Sequence, residues 1–227
     1  MGVNLAEELL LLAYDDAGDA NAGTPALDYG LAGALMLDLT LRGRLDVVDR
    51  RVVVLDHAPT GDPVLDQALD EIANEPGGCS PQEWIGRLNL GLRDQILDHL
   101  VAGGVLRRER DKVLWIFPRT RYPASTPGMP TAEAKARQRL ADAVGGTGPV
   151  SARTAALASL VRALHLERTA VPARPRKEVR DRFKAIADEG GSIAGEAGTG
   201  DAITTMETAV HAAIAEVMVI TTTAAAT

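Results

Sequence analysis

The sequence predicts a mainly α-helical protein, one helical domain over residues 1–227 with a helical-bundle core and one or two short β-hairpins. Three observations carry this. Only 3% of the 227 residues are aromatic. The 46% hydrophobic content is supplied chiefly by Ala, Leu and Val, which pack helices better than sandwiched sheets. Apolar positions also recur every three or four residues over long segments, and the apolar fraction is ample for a packed core at this length.

Along the chain, the near-continuous leucines of Leu5 to Tyr14 predict a helix buried on most sides, followed by the polar loop "DDAGDANAGTP". A longer helix is expected from Ala26 to Leu41, with Leu27, Leu31, Ala34, Leu35 and Leu41 near helical spacing and Gly43 as a left-handed C-cap. Arg42 and Arg44 flank that glycine, where cations favour the carbonyl end of the helix dipole. "RLDVVDRRVVVLD" is two β-branched runs around "DRR", the pattern of a small hairpin. Asp62 then reads as an N-cap with Pro63 at the first helical position.

"PQEWIGRL" predicts a short helix and "LGLRDQILDHLVAGG" a longer one ending at Gly103 and Gly104. In "VLRRERDKVLWIFP", apolar runs flank a polar turn, which predicts a second hairpin, and "YPASTPGMP" is a connector. The last third reads as helices: Thr131 to Val144, Ser151 to Leu166, Arg176 to Asp188 and Asp201 to Ile220, separated by "GGTGP" and "EGGSIAGEAGTG". Ile203, Met206, Val210, Ile214 and Val217 give the final helix one buried face.

A net charge of −7 weighs against a general nucleic-acid binder. The single Cys79 forms no internal disulfide and fits a reducing cytoplasm. Glu7 and Glu8 interrupt the first apolar run, so no signal peptide is expected; the C-terminal apolar stretch, broken by His211 and Glu216, is too short to span a bilayer. Any membrane contact is therefore expected to be peripheral.

No nucleotide-binding glycine pattern joins a strand to a helix, and Gly-x-Ser-x-Gly is absent. His57, His99, His165 and His211 have no metal-ligand spacing to one another or to Cys79, and the carboxylates from Asp56 to Asp70 lack the ladder of a calcium loop. No catalytic residue, cofactor or metal is expected, and no enzyme.

The exception to the acidic balance is the second hairpin, where Arg107, Arg108, Arg110, Lys112, Arg119 and Arg121 face only Glu109 and Asp111. Within that frame lies "VLWIF", Val113 to Phe117 with Leu114, Trp115 and Ile116. Cations around an aromatic tip suit an anionic membrane, each worth about 1 kcal/mol, with roughly 1.5 to 3 kcal/mol for each large side chain buried. Packing of Trp115 and Phe117 in the core or in a subunit interface satisfies the same pattern. A helix, Gly-Gly and charged hairpin also resemble the end of a winged-helix DNA-binding domain, although "PQEWIGRL" lacks a cluster of base-reading side chains.

The ordered words "LAEELLLLAYDDAG", "GLAGALMLDLTLRGRL", "DHAPTGDPVLDQAL" and "LRDQILDHLVAGGVL", with the hairpin and helical C-terminal third, resemble the Golgi phosphoprotein 3 family over nearly the whole chain. The resemblance implies a non-enzymatic peripheral membrane adaptor that binds phosphatidylinositol 4-phosphate through a basic pocket, with the hairpin in membrane contact or self-association. It implies a Trp near Gly23 and arginines at Ala32, Leu90 and Arg93, of which this sequence keeps only Arg93. The headgroup clamp is thus largely missing, and Arg93 and Arg87 remain the candidate ligands for an anionic phospholipid or phosphoinositide-like headgroup. The family's basic N-terminal extension is also absent from this sequence. Arg-dominated basic residues and abundant Ala suggest a GC-rich bacterial genome, and so a cytoplasmic protein peripheral on the cytoplasmic membrane face. The alternatives are an oligomeric interaction module without lipid binding and a winged-helix-like DNA binder.

Overall fold

The computed structural model describes residues 2–20, 24–75, 78–113, 117–148, 150–193 and 199–224. Among these, ten helices and two antiparallel hairpins follow in the order α1 Leu5–Ala13, α2 Thr24–Leu41, β1 Leu45–Val48, β2 Arg51–Val54, α3 Pro63–Ala73, α4 Pro81–Leu88, α5 Leu92–Ala102, β3 Glu109–Val113, β4 Phe117–Arg121, α6 Thr131–Gly145, α7 Ala152–Ala163, α8 Glu167–Ala170, α9 Arg176–Ile193 and α10 Thr199–Ala224. The mainly helical architecture expected from the sequence is the one observed.

Helix α2 is the hub, packing against α1, α3, α4, α5, α7 and α10. Residues 31–40 are all buried, the state expected of a helix that is apolar nearly all round. Its close neighbours are admitted by "GLAGA": a Cβ on Gly30 would lie 2.8 Å from Leu164 Cδ1, and one on Gly33 2.7 Å from Val210 Cγ1 and closer still to Cγ2. The helix ends at Gly43, with φ of 66°. Arg44 N–H donates to Leu39 C=O and Gly43 N–H to Thr40 C=O, both at 2.9 Å, closing a Schellman motif.

Buried charges staple the hub to its surroundings. Asp38 of α2, 1% exposed, accepts from Leu5 N–H at 2.6 Å, Arg42 Nε at 2.7 Å and Arg153 Nη1 at 3.1 Å. Glu8 of α1 accepts from Arg139 at 2.8 and 3.2 Å. A buried carboxylate is tolerable only when paired and hydrogen-bonded in this way. At the start of α1, Asn4 forms a capping box with Glu7. Its Nδ2 donates at 2.9 Å to Asp62, which in turn caps α3 through Val64 and Leu65 N–H. Glu7 also lies 2.6 Å from His99 Nδ1 of α5.

Several boundaries differ from expectation. Helix α1 stops at Ala13, because Tyr14 leaves the helix to bridge Ala20. Helix α2 starts earlier, at Thr24. Helix α7 closes at Ala163 rather than Leu166: Leu164 and Leu166 turn inward, and His165 takes the left-handed conformation at φ 56°. Helix α9 runs on to Ile193 through two glycines whose cost is only about 1 kcal/mol each.

The first hairpin matches the sequence, with both residues of its two-residue turn, Asp49 and Arg50, in left-handed conformation. The second differs in register. "ERDKV", expected as the polar turn, is strand β3, and "FPRTR" is β4, pairing Glu109 with Arg121 and Val113 with Phe117. The register sets Glu109 opposite Arg121 and Asp111 opposite Arg119, so polarity here marks a paired ribbon rather than a loop.

Candidate functional site

Three places were expected to carry function: the headgroup pocket, Arg87 with Arg93, and the second hairpin. At the pocket, Ala32 is fully buried on the core side of α2. The position of the expected arginine is thus closed over by packing. Leu90 lies in the connection between α4 and α5 and is 81% exposed. Gly23 lies outside the described residues.

Arg93 projects from the first turn of α5 to α2, its Nε 2.7 Å from Asp28 Oδ1. Burial raises the Asp28 carboxyl above the usual range, and Arg93 opposes that shift. The same guanidinium eases the burial-driven rise of the Tyr14 phenol, so Arg93 is the cation of a small Tyr14, Asp28 and Asp94 cluster. Arg87 instead reaches Glu75 at 2.9 Å and stacks over Trp84 with 5.3 Å to the ring centroid. Arg87 and Leu90 line one shallow cleft near α3, and Arg93 does not line it. The two candidate ligands are therefore not brought together into one headgroup site.

Four arginines of the hairpin's basic frame are paired with carboxylates, two of them with acids drawn from elsewhere in the chain. Arg108 pairs with Asp98 of α5 and lies 5.6 Å over the Tyr122 ring. Arg119 forks onto Asp19 of the first loop, one of its two bonds being Nε to Oδ1 at 3.1 Å, and this pairing holds the Asp19 carboxyl below its usual range. Arg107 and Arg121 share Glu109 at 2.8 and 3.7 Å. Arg110 is exposed. The side chains of Lys112 and Phe117, and Leu114, Trp115 and Ile116 entirely, lie outside the described residues.

The hairpin's setting is nonetheless defined. Arg107 N–H donates to Pro123 C=O at 2.9 Å, Ser125 N–H to Val105 C=O at 3.0 Å and Tyr122 N–H to Gly18 C=O at 3.0 Å. Tyr122 meets Tyr14 edge-on at 6.5 Å. Beyond this base, β3 and β4 pack chiefly on each other, whereas β1–β2 lies against α2, α3 and α10. Sequence reading missed Asp19 and Asp98 as partners because they stand 100 and 10 residues from the arginines they bind. No local pattern links them.

Among the described residues, no three His, Cys, Asp or Glu side chains converge as a metal site, and no helix is long and apolar enough to cross a membrane. His99 is engaged by Glu7 and His211 by Ser159, its Nε2 2.9 Å from the hydroxyl.

Comparison with known proteins adds two findings. The family profile described as Golgi phosphoprotein 3 (GPP34) matches residues 5–217. The chain is also 30% identical over 147 residues to the vacuolar protein sorting-associated protein 74 of Eremothecium gossypii, covering 54% of this chain and 44% of that relative. The chain thus matches less than half the length of that curated relative.

Proposed function

This chain belongs to the Golgi phosphoprotein 3 family, and on that premise we propose that it is a non-enzymatic peripheral membrane adaptor, formed as one domain of the family and acting on the cytoplasmic face of a membrane. The observation that carries the proposal is the β3–β4 ribbon, anchored at its base by Gly18, Pro123 and Val105, whose strands, among the described residues, pack chiefly on each other. A ribbon that stands off a helical body can offer its tip to a surface without unfolding the core. The name of the E. gossypii relative associates that protein with sorting; we carry over the adaptor class and not its partners.

The chemistry of the former headgroup pocket favours an anionic lipid other than the ancestral phosphoinositide. With Ala32 buried and Arg93 committed to Asp28, the charge-assisted bonds that select a phosphorylated inositol are few. Binding would then rest on Leu114, Trp115, Ile116 and Phe117, with Arg110 and Lys112 close to them in sequence. Flotation with phosphatidylserine liposomes at low salt should carry the native protein upward, and Trp115→Ala with Phe117→Ala should remain at the bottom. A native protein that floats with no anionic liposome would refute the membrane reading.

A second reading, an oligomeric module with the hairpin as subunit interface, is favoured by the pairing of Arg107, Arg108, Arg119 and Arg121 with acids. Paired guanidiniums attract an anionic surface less. Light scattering on the same double variant separates the two, since dissociation with unchanged liposome binding would favour the interface.

A further inference from the structure

On the side of the bundle built by the C-terminal third, α7, α9 and α10 enclose a cleft of about 340 Å³ lined by Arg162, His165, Glu167, Arg180, Lys184 and His211 among others. Its cations differ from most of the described arginines, which are matched to a carboxylate, as in Arg42–Asp38, Arg93–Asp28, Arg137–Glu133, Arg153–Asp38 and Arg176–Glu167. Arg162, Arg180 and Lys184 make no ion pair among the described residues.

The acids nearby are already engaged. Asp181, between the two cations on α9, bonds Lys177 at 2.6 Å. Glu167, which like Asp181 lines the cleft, is fully buried, with Arg176 Nε at 3.4 Å. Burial pushes the Glu207 carboxyl up to about 7 against the pull of Arg162, so near neutral pH it offers that guanidinium only part of a charge. Arg180 and Lys184 stand one turn apart on the same helical face, where like charges repel and both act on the Asp181 carboxylate beside them. Ser159 pins His211 in the opposite wall, and His165 is held at the rim by the left-handed turn that ends α7.

We propose that the cleft between α7, α9 and α10 is a binding site for a small phosphomonoester, held by Arg162 and Arg180 as guanidinium forks and by Lys184 as a point charge, with His165 and His211 donating from the rim and wall. Two guanidiniums and an ammonium match a dianion, and planar forks favour phosphate geometry. The volume suits a phosphate carrying a body the size of a sugar ring, and the buried Ile214 supplies an apolar floor. This site shares no residue with the hairpin or with Arg87 and Arg93.

The probes are glucose 6-phosphate for a soluble source and phosphatidic acid vesicles for a lipid source, with glucose and phosphatidylcholine as controls. Calorimetry should detect glucose 6-phosphate or vesicle-borne phosphatidic acid, and Arg180→Ala with Lys184→Ala, both exposed on α9, should weaken that binding at least about tenfold. Trp115→Ala with Phe117→Ala should leave glucose 6-phosphate binding unchanged, so failure at the hairpin and failure here are distinguishable. Should phosphatidic acid alone bind, retention by the Trp115→Ala, Phe117→Ala variant and loss by the α9 variant would place the lipid in the cleft. Binding of neither phosphorylated probe, or binding unaffected by the α9 substitutions with circular dichroism unchanged, would overturn the proposal.

Discussion

Asn4 holds two helix starts at once. It caps α1, accepting from Glu7 N–H at 2.9 Å, and donates to the Asp62 carboxylate that caps α3. A cap is worth about 1 kcal/mol and a further buried hydrogen bond to a charged group somewhat more. Asn4→Ala should therefore destabilise the protein by about 2 kcal/mol, visible as a lower urea midpoint with an unchanged slope. Glu207 makes a second residue-scale prediction. Its folded pKa of about 7 lies above the ordinary 4.5, so the folded state holds the proton more tightly. The associated stability is fully present below pH 4.5 and is lost as pH rises through 7. His211, whose imidazole is held below its usual range by burial and Arg162, acts in the opposite sense, its contribution being present above pH 6.5 and lost as pH falls below it. Comparing Glu207→Gln with the native protein between pH 5 and 8 isolates the carboxyl. The variant should gain about 1–2 kcal/mol relative to native at pH 8, after allowance for partial exposure, and little at pH 5. Equal differences at both pH values would contradict this assignment.

Elements show how the same local pattern reaches different outcomes. "VVDRRVV" was legible as a hairpin because its β-branched runs flank a turn, and its strands lie against α2, α3 and α10. "RRERDKVLWIFP" was legible as a hairpin too, but its strands were displaced: the register pairs the polar run with "FPRTR", so backbone pairing overrode the apolar signal. The charges of that ribbon yield an element-scale prediction. Asp98→Asn with Asp19→Asn removes the carboxylate partners that Asp98 and Asp19 supply to Arg108 and Arg119. Each negative charge removed should add about 1 kcal/mol near an anionic surface. Flotation with phosphatidylserine liposomes should rise in that variant and fall again with salt as screening sets in; no increase at low salt would mean that the ribbon does not approach the lipid.

Across the whole molecule, the bundle depends on how closely α2 can be approached. Gly33 is the point at which Val210 of α10 sits against the α2 backbone, so Gly33→Ala forces two helices apart despite its better helix propensity. Overpacking should exceed the propensity gain and cost about 1–3 kcal/mol, read as a lower melting temperature. A melting temperature at or above native would show that α10 adjusts freely. The sequence by itself determined the helical class, the caps at Asp62 and Gly43, and the words that carry the family resemblance, because periodicity, capping and turn chemistry act within a few residues. Only the tertiary structure decided which charges remain available. Arg93, expected from the family resemblance to line a headgroup pocket, is committed to Asp28, and Arg107, Arg108, Arg119 and Arg121 to Glu109, Asp98 and Asp19, while Arg162, Arg180 and Lys184 face a cleft. The physical reason is that ion pairing depends on distance in space, and a guanidinium is neutralised by whichever carboxylate folding brings within a few ångströms, whatever its place in the chain.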